Sequence, residues 1–149
     1  MKKSPAGWPR ISQAIFYDDA AAAIDWLSKA FAFEVRLKVE GEGGRIEHSE
    51  LTFGDGLIMV GSAGKMPTRP DVPYRSPRSI GGANTQAMCI HVEDVDAHYA
   101  RATGFGAKVT RALTTTDYGA DYWADRSYEA EDPEGHRWFF MQRMRNPGE

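Results

Sequence analysis

Cysteine is almost absent from this sequence. Cys89 stands alone among 149 residues, so no intrachain disulfide can form and a disulfide-stapled secreted scaffold is excluded. No stretch approaches the roughly 20 apolar residues that a membrane-spanning helix requires. The opening MKKSPAGWPR is basic but has no apolar run behind it, unlike a secretory signal. The cytoplasm is therefore the expected compartment, with no membrane partner. Surplus positive charge is missing too: 18 Lys and Arg face 21 Asp and Glu, a net charge of −3. Without a basic surplus the sequence-independent attraction to phosphate is lost, and no nucleic-acid partner is expected. A mildly acidic chain could instead accept a cationic small molecule. No Gly-rich phosphate loop, His-Glu-x-x-His pair or serine elbow occurs, and GEGGR at 41–45 reads as a turn.

What is present is ordinary globular composition, 42% hydrophobic and 26% charged, in a chain sized for one domain over 1–149. Residues 10–17 (RISQAIFY) alternate as a strand, with Ile11, Gln13, Ile15 and Tyr17 on one face. Asp18-Asp19 stands where a helix N-cap belongs, because an Asp oxygen can accept from an orphan backbone N–H. Residues 20–31 carry Ala23, Ile24, Leu27, Ala30 and Phe31 on one stripe, an amphipathic helix. A strand over 34–39 follows, then a hairpin of 45–53 and 57–62 about Gly54-Asp55-Gly56. The order is βαβββ.

Residues 63–84 hold four prolines and no periodicity, and read as a linker or excursion loop. Then the first pattern returns: a strand at 85–92, a cap at Glu93-Asp94, a helix over 95–103 and a strand starting at 107–109. A second hairpin, 127–131 and 136–142, turns about Asp132-Pro133-Glu134-Gly135. A shift of 75 lays Asp18-Asp19 on Glu93-Asp94 and Ala14 on Cys89; a shift of 79 lays Gly56 on Gly135, Glu50 on Glu129 and Val60 on Phe139. This is an internal repeat. Module one covers about 10–62 and module two about 85–142, an α+β fold of mixed, curved sheets with helices on the outer faces.

Three segments carry a family resemblance: YDDAAAAIDWLSKAFAFEV, SPRSIGGANTQAMCIHVEDVDAHYARA and DRSYEAEDPEGHRWFF. They resemble the vicinal-oxygen-chelate superfamily, which includes glyoxalase I, extradiol dioxygenases, fosfomycin-inactivating transferases and bleomycin-resistance proteins. The resemblance spans nearly the whole chain, and EDPEGHRW is its most specific piece. Metal-dependent members hold a divalent ion with inward His, Gln or Glu from the first and last strand of each module. Carried over, those positions are Ser12, Val60, Ala87 and Phe139. Such side chains cannot make the oxygen and imidazole shell that a divalent ion wants. A one-residue error would substitute Gln13, Met59, Gln86 and Trp138 or Phe140, which makes no site either. No metal and no other cofactor is expected.

His91 shares a face with Cys89 and Ala87 by the period-two rule. It is either a cavity histidine that meets a ligand or a satisfied structural one, whereas Cys89 reads as an inert small hydrophobe. Glu47, Ser49, Leu51 and Phe53 should share the inward face with Ile58 and Val60. That leaves His48 and Glu50 as a surface pattern. In module two the inward set is Arg126, Tyr128 and Ala130 with Arg137, Phe139 and Met141, while Trp138 and Phe140 pack on the second helix. Residues 117–126 (DYGADYWADR) set Tyr118, Tyr122 and Trp123 among Asp117, Asp121 and Asp125, a composition suited to a lid over a flat or cationic ligand.

Ser49, His91, Trp123, Arg126, Tyr128 and Phe139 are thus the candidate ligand-binding residues. The expected function is that of a bleomycin-resistance-type protein: metal-free binding of a small, partly aromatic molecule, in an antibiotic-resistance or sensing role, as a homodimer. Two rivals remain. One is a lyase, isomerase or dioxygenase with a displaced metal or with His91 acid–base chemistry. The other is a purely structural module whose cavity is filled by Phe16, Phe53 and Phe139.

Overall fold

The computed structural model describes residues 2–66 and 69–149. In module one, β1 (Gln13–Tyr17) leads into α1 (Ala20–Phe31), then β2 (Glu34–Glu40), β3 (Ile46–Phe53) and β4 (Gly56–Ser62). In module two, β7 (Ala87–His91) leads into α2 (Val95–Gly104), then β8 (Lys108–Asp117), β9 (Ala124–Glu131) and β10 (Arg137–Arg145). The strand orders β1-β4-β3-β2 and β7-β10-β9-β8 correspond one to one, each with a parallel first pair and antiparallel remainder. Neither sheet closes into a barrel. Asp19 Oδ1 accepts from Ala22 N at 3.0 Å and Asp94 Oδ1 from Ala97 N at 2.9 Å, so both caps form as the sequence implies.

The stretch expected to be a linker or excursion loop contains short regular elements. It holds a small hairpin, β5 (Gly64–Met66) and β6 (Arg69–Tyr74), and a single 3₁₀ turn at Pro77–Ile80. Residues 67 and 68 of that stretch lie outside the described residues. The hairpin escaped the sequence because its strands are three and six residues long, the second interrupted by Pro70 and Pro73, too short for a period to show.

One core serves both modules. The apolar stripe of α1 (Ala23, Ile24, Leu27, Ala30, Phe31) is buried with Ile15, Val60 and Leu51 of its own sheet. Phe31 also reaches Trp138 and Phe140 of the other sheet, at 5.2 and 4.7 Å between ring centroids. Burying one such aromatic side chain contributes roughly 1.5–3 kcal/mol. Polar contacts fasten the same seam: Arg101 on α2 donates to the carbonyls of Lys29 and Ser28, and the Trp26 indole N–H to Phe105 O.

The turn of module two anchors the seam from the far end. Asp132 is buried and fully engaged: Oδ1 accepts from Glu134 N and His136 N, Oδ2 from the Tyr17 hydroxyl and the Trp138 indole. Glu134 accepts from the backbone of Asp18 and Asp19 at 2.6 and 2.9 Å. A carboxylate there satisfies orphan N–H groups at the α1 N-terminus and meets the positive end of its dipole.

Candidate functional site

With the helices and core on one face, each sheet has a second face that no helix covers. Which residues lie there follows from strand register. In module two Phe139 pairs with Cys89 and with Glu129, and Met141 with His91 and Ser127. In module one Ala14 pairs with Met59 and Phe16 with Gly61, while Gln13, Ile15 and Tyr17 share the core face with Ile58, Val60 and Ser62. Val60 is therefore a core residue, and the position matching Phe139 is Met59. The shift of 79 holds for β3 onto β9, but β4 onto β10 requires 80 (Ile58 to Trp138). The second turn is one residue longer than the first. In a period-two structure one residue reverses every side chain beyond it.

That reversal redistributes the candidate residues. Ser49 does share a face with Val60, as expected, but that face is the core: Ser49 is buried, and its hydroxyl donates to Val60 O at 2.6 Å. Arg126 and Tyr128 lie on the helix side, opposite Gln142 and Phe140, and not with Phe139. Arg126 clasps Asp96 of α2 through two 2.7 Å contacts, which lowers the Asp96 pKa. Tyr128 is buried, with its pKa pushed up by loss of solvent, and its hydroxyl meets His98 Nδ1 at 2.7 Å. His98 Nε2 faces the Phe31 carbonyl at 3.1 Å, which can only accept. Neutral His98 thus carries its proton on Nε2 and accepts from Tyr128. Burial lowers its pKa.

His91 and Phe139 do share the open face of module two, with Cys89 between them; His91 and Cys89 are exposed and Phe139 half-buried. Trp123 sits apart, in a loop confined to 118–123. The carboxylates flanking that loop are taken by the protein's own cations. Asp117 bonds Arg145 at 2.6 Å and Asp125 bonds Arg143 at 2.7 Å, while the Arg143 guanidinium stands 5.4 Å from the Trp123 ring centre. An aromatic–acidic surface that a cationic ligand could have used is thereby occupied from within. The three phenylalanines that might have filled one cavity are dispersed. Phe16 stacks on Tyr74 at 3.7 Å, Phe53 packs on Phe33, and Phe139 lies on the other sheet.

A cleft of about 430 Å³ runs along β7 between the modules. Phe53, Leu57 and Ile58 wall it from module one and Ala87, Cys89 and His91 from module two, with Gln13 adding an amide. A smaller one, about 210 Å³, lies between Phe16, Tyr74 and the start of β7. His48 and Glu50, expected to be a surface pattern, lie on the open face of module one, opposite Val39 and Leu37. Glu50 is buried and meets both His48 Nε2 and Arg36 Nε at 3.2 Å. Ser49 and Leu51 are buried on the helix side, so His48 and Glu50, which alternate with them, fall on the uncovered face; the sequence alone does not say which of the two sets α1 covers.

Comparison with known proteins agrees with this geometry. A family model described as "Glyoxalase/Bleomycin resistance protein/Dioxygenase superfamily" matches residues 10–140. The chain belongs to that superfamily. The chain is also similar to relatives in Mycobacterium: the uncharacterized proteins Mb0911c of M. bovis and Rv0887c of M. tuberculosis are each 34% identical over 92% of this chain, covering 85% and 76% of their own lengths. Among solved structures, TioX from Micromonospora sp. ML1 superposes with a TM-score of 0.67 at 27% identity, over 92% of this chain and all of that one. A superfamily member from Sphaerobacter thermophilus matches in fold alone, with a TM-score of 0.63 at 16% identity over 88% and 94% of the two chains.

The metal site of metal-dependent superfamily members does not fit these residues. Its four positions carry Ser12, Met59, Ala87 and Phe139, of which none offers an anionic oxygen or an imidazole. Among the described residues no three His, Cys, Asp or Glu side chains are grouped to hold an ion. No helix among the described residues is long and apolar enough to cross a membrane.

Proposed function

We propose that this protein binds a small, partly aromatic organic molecule in the cleft along β7, without a metal. The observation that carries the reading is the cleft itself: about 430 Å³, bounded by both modules, with Phe53, Leu57, Ile58 and Cys89 as apolar wall and His91 and Gln13 as polar anchors. That volume and that balance are those of small-molecule sites. Met59, Ala87 and Phe139 at three of the four metal positions support the same reading, since they convert most of an ion shell into hydrophobic surface. A role in sequestering or sensing an antibiotic-like compound in the cytoplasm is the physiological form it would take.

We further propose that two copies associate. Val35, Leu37 and Val39 of β2 are between 42% and 46% exposed, on an edge strand. β1 and β7 are also edges, and open edges beside apolar surface favour pairing.

A thermal-shift panel of planar aromatic compounds tests the ligand. A compound at about a hundred times its Kd adds about 2.7 kcal/mol of stability and raises Tm, and His91→Phe should blunt the rise. Elemental analysis of dialysed protein should find no near-stoichiometric Zn, Ni, Mn, Fe or Co. Retained stoichiometric metal, with no aromatic compound raising Tm, would reverse the proposal in favour of a metalloenzyme.

A further inference from the structure

The open face of module one carries a polar assembly that the β7 cleft does not use. Glu50 is 7% exposed, yet both its oxygens are engaged: Oε2 by Arg36 Nε and Oε1 by His48 Nε2, each at 3.2 Å. Arg36 is itself fixed, donating from Nη1 to Gly7 O at 3.1 Å and from Nη2 to Ala6 O at 3.3 Å. The chain of contacts therefore runs from the N-terminal segment through Arg36 and Glu50 to the imidazole.

A carboxylate can only accept, so the His48 proton resides on Nε2. Nδ1 then keeps its lone pair, and no described group bonds it. The ring is 39% exposed, against 9% for the Glu50 side chain. This is the arrangement by which a carboxylate orients an imidazole and stabilises the cation formed when the ring takes up a proton. Around it the face is apolar: Val39 lies opposite His48, Leu37 opposite Glu50, and Met59 is on the next strand.

The internal repeat separates framework from addition. In module two Glu129 occupies the place of Glu50 and faces Arg111 at 3.8 Å from the neighbouring strand's bulge. There the residue two before the glutamate is Ser127. The Arg–Glu pair thus belongs to both sheets, whereas the histidine is confined to one.

We propose that His48 is a proton-accepting site for a weakly acidic organic hydroxyl, a phenol or enol whose carbon skeleton rests on Leu37, Val39 and Met59. Glu50 is its positioning residue. On binding, the ligand O–H bond breaks heterolytically and the proton moves to His48 Nδ1. The ligand's electron pair stays on oxygen, and the resulting imidazolium is paired with Glu50. The charged groups that meet this ring are Glu50 on its own strand and, through it, Arg36 on β2. The site stands independently of the β7 cleft.

4-Nitrophenol is the probe, because its absorbance reports its ionisation. With the full-length protein, the bound probe should ionise about one pH unit below the free probe, as an adjacent cation would cause. His48→Gln should abolish that shift. Glu50→Gln should reduce it, and should also move the His48 ¹⁵N ring shifts from the single Nε2–H tautomer toward a mixture. If Glu50→Gln does not fold, the native ¹⁵N spectrum and His48→Gln still decide. No binding of the probe, a shift that survives His48→Gln, or a native tautomer with the proton on Nδ1 would each overturn the proposal. A shift lost on His91→Phe but kept in His48→Gln would place the probe in the β7 cleft instead.

Discussion

The Tyr17 hydroxyl, at the end of β1 in module one, donates a 2.6 Å hydrogen bond to Asp132 Oδ2 in the last turn of module two. Burial, and then the charge of Asp132, push the Tyr17 pKa well above its ordinary value. The bond ties the modules together at a carboxylate whose remaining acceptor sites are filled by Trp138 and two backbone amides. Tyr17→Phe leaves that buried charge short of one donor, and such a loss costs about 1–3 kcal/mol. Urea denaturation should show a lower midpoint with an unchanged slope. A variant as stable as the parent would mean that this bond adds nothing net to the joining of the modules.

His98 makes stability depend on pH. Its folded pKa lies below the ordinary histidine value of about 6.5, because burial opposes the charged ring. A group with a depressed folded pKa contributes stability that is full above the unfolded pKa and is lost as pH falls through the folded one. Stability should therefore decline as pH drops below about 6.5, and His98→Gln should remove part of that slope. Chemical denaturation from pH 8 to pH 5 reads it. Parallel curves for parent and variant would show that His98 titrates alike in both states.

Much of the fold was legible because it depends on signals confined to a few residues. Asp19 and Asp94 begin helices by offering an oxygen to N–H groups three residues on, and the stripe of α1 follows from its spacing. The site was less legible because it depends on parity carried across turns. One additional residue between Asp132 and His136 set Met59, not Val60, at the level of Phe139. Likewise, nothing within IEHSELTF states which face the helices will cover. His48 and Glu50 became site residues only once α1 was seen packing on Leu51 and Val60. Arg126 and Tyr128, rich in binding chemistry, are spent on α2 for the same reason.

Self-association should respond to the open faces. Phe139 is half-buried in the single chain, so Phe139→Glu should fold with little loss of stability. If a second copy covers that face, the new carboxylate would be desolvated without a partner, which is expensive. Sedimentation equilibrium should show a dimer for the parent and a shift toward monomer for Phe139→Glu. A monomeric parent at micromolar concentration, or a variant dimer of equal strength, would contradict the proposed assembly.

The most direct test of the account is NMR mapping of a bound aromatic compound. The compound giving the largest thermal shift would be titrated into ¹⁵N-labelled protein while backbone amides are followed. Binding in the β7 cleft predicts perturbations at Gln13, Phe53, Leu57, Cys89 and His91, the residues that wall it. Arg126 and Tyr128, held on the helix side, should be still. Perturbations centred on Trp123, Arg126 and Tyr128, with none along β7, would contradict it.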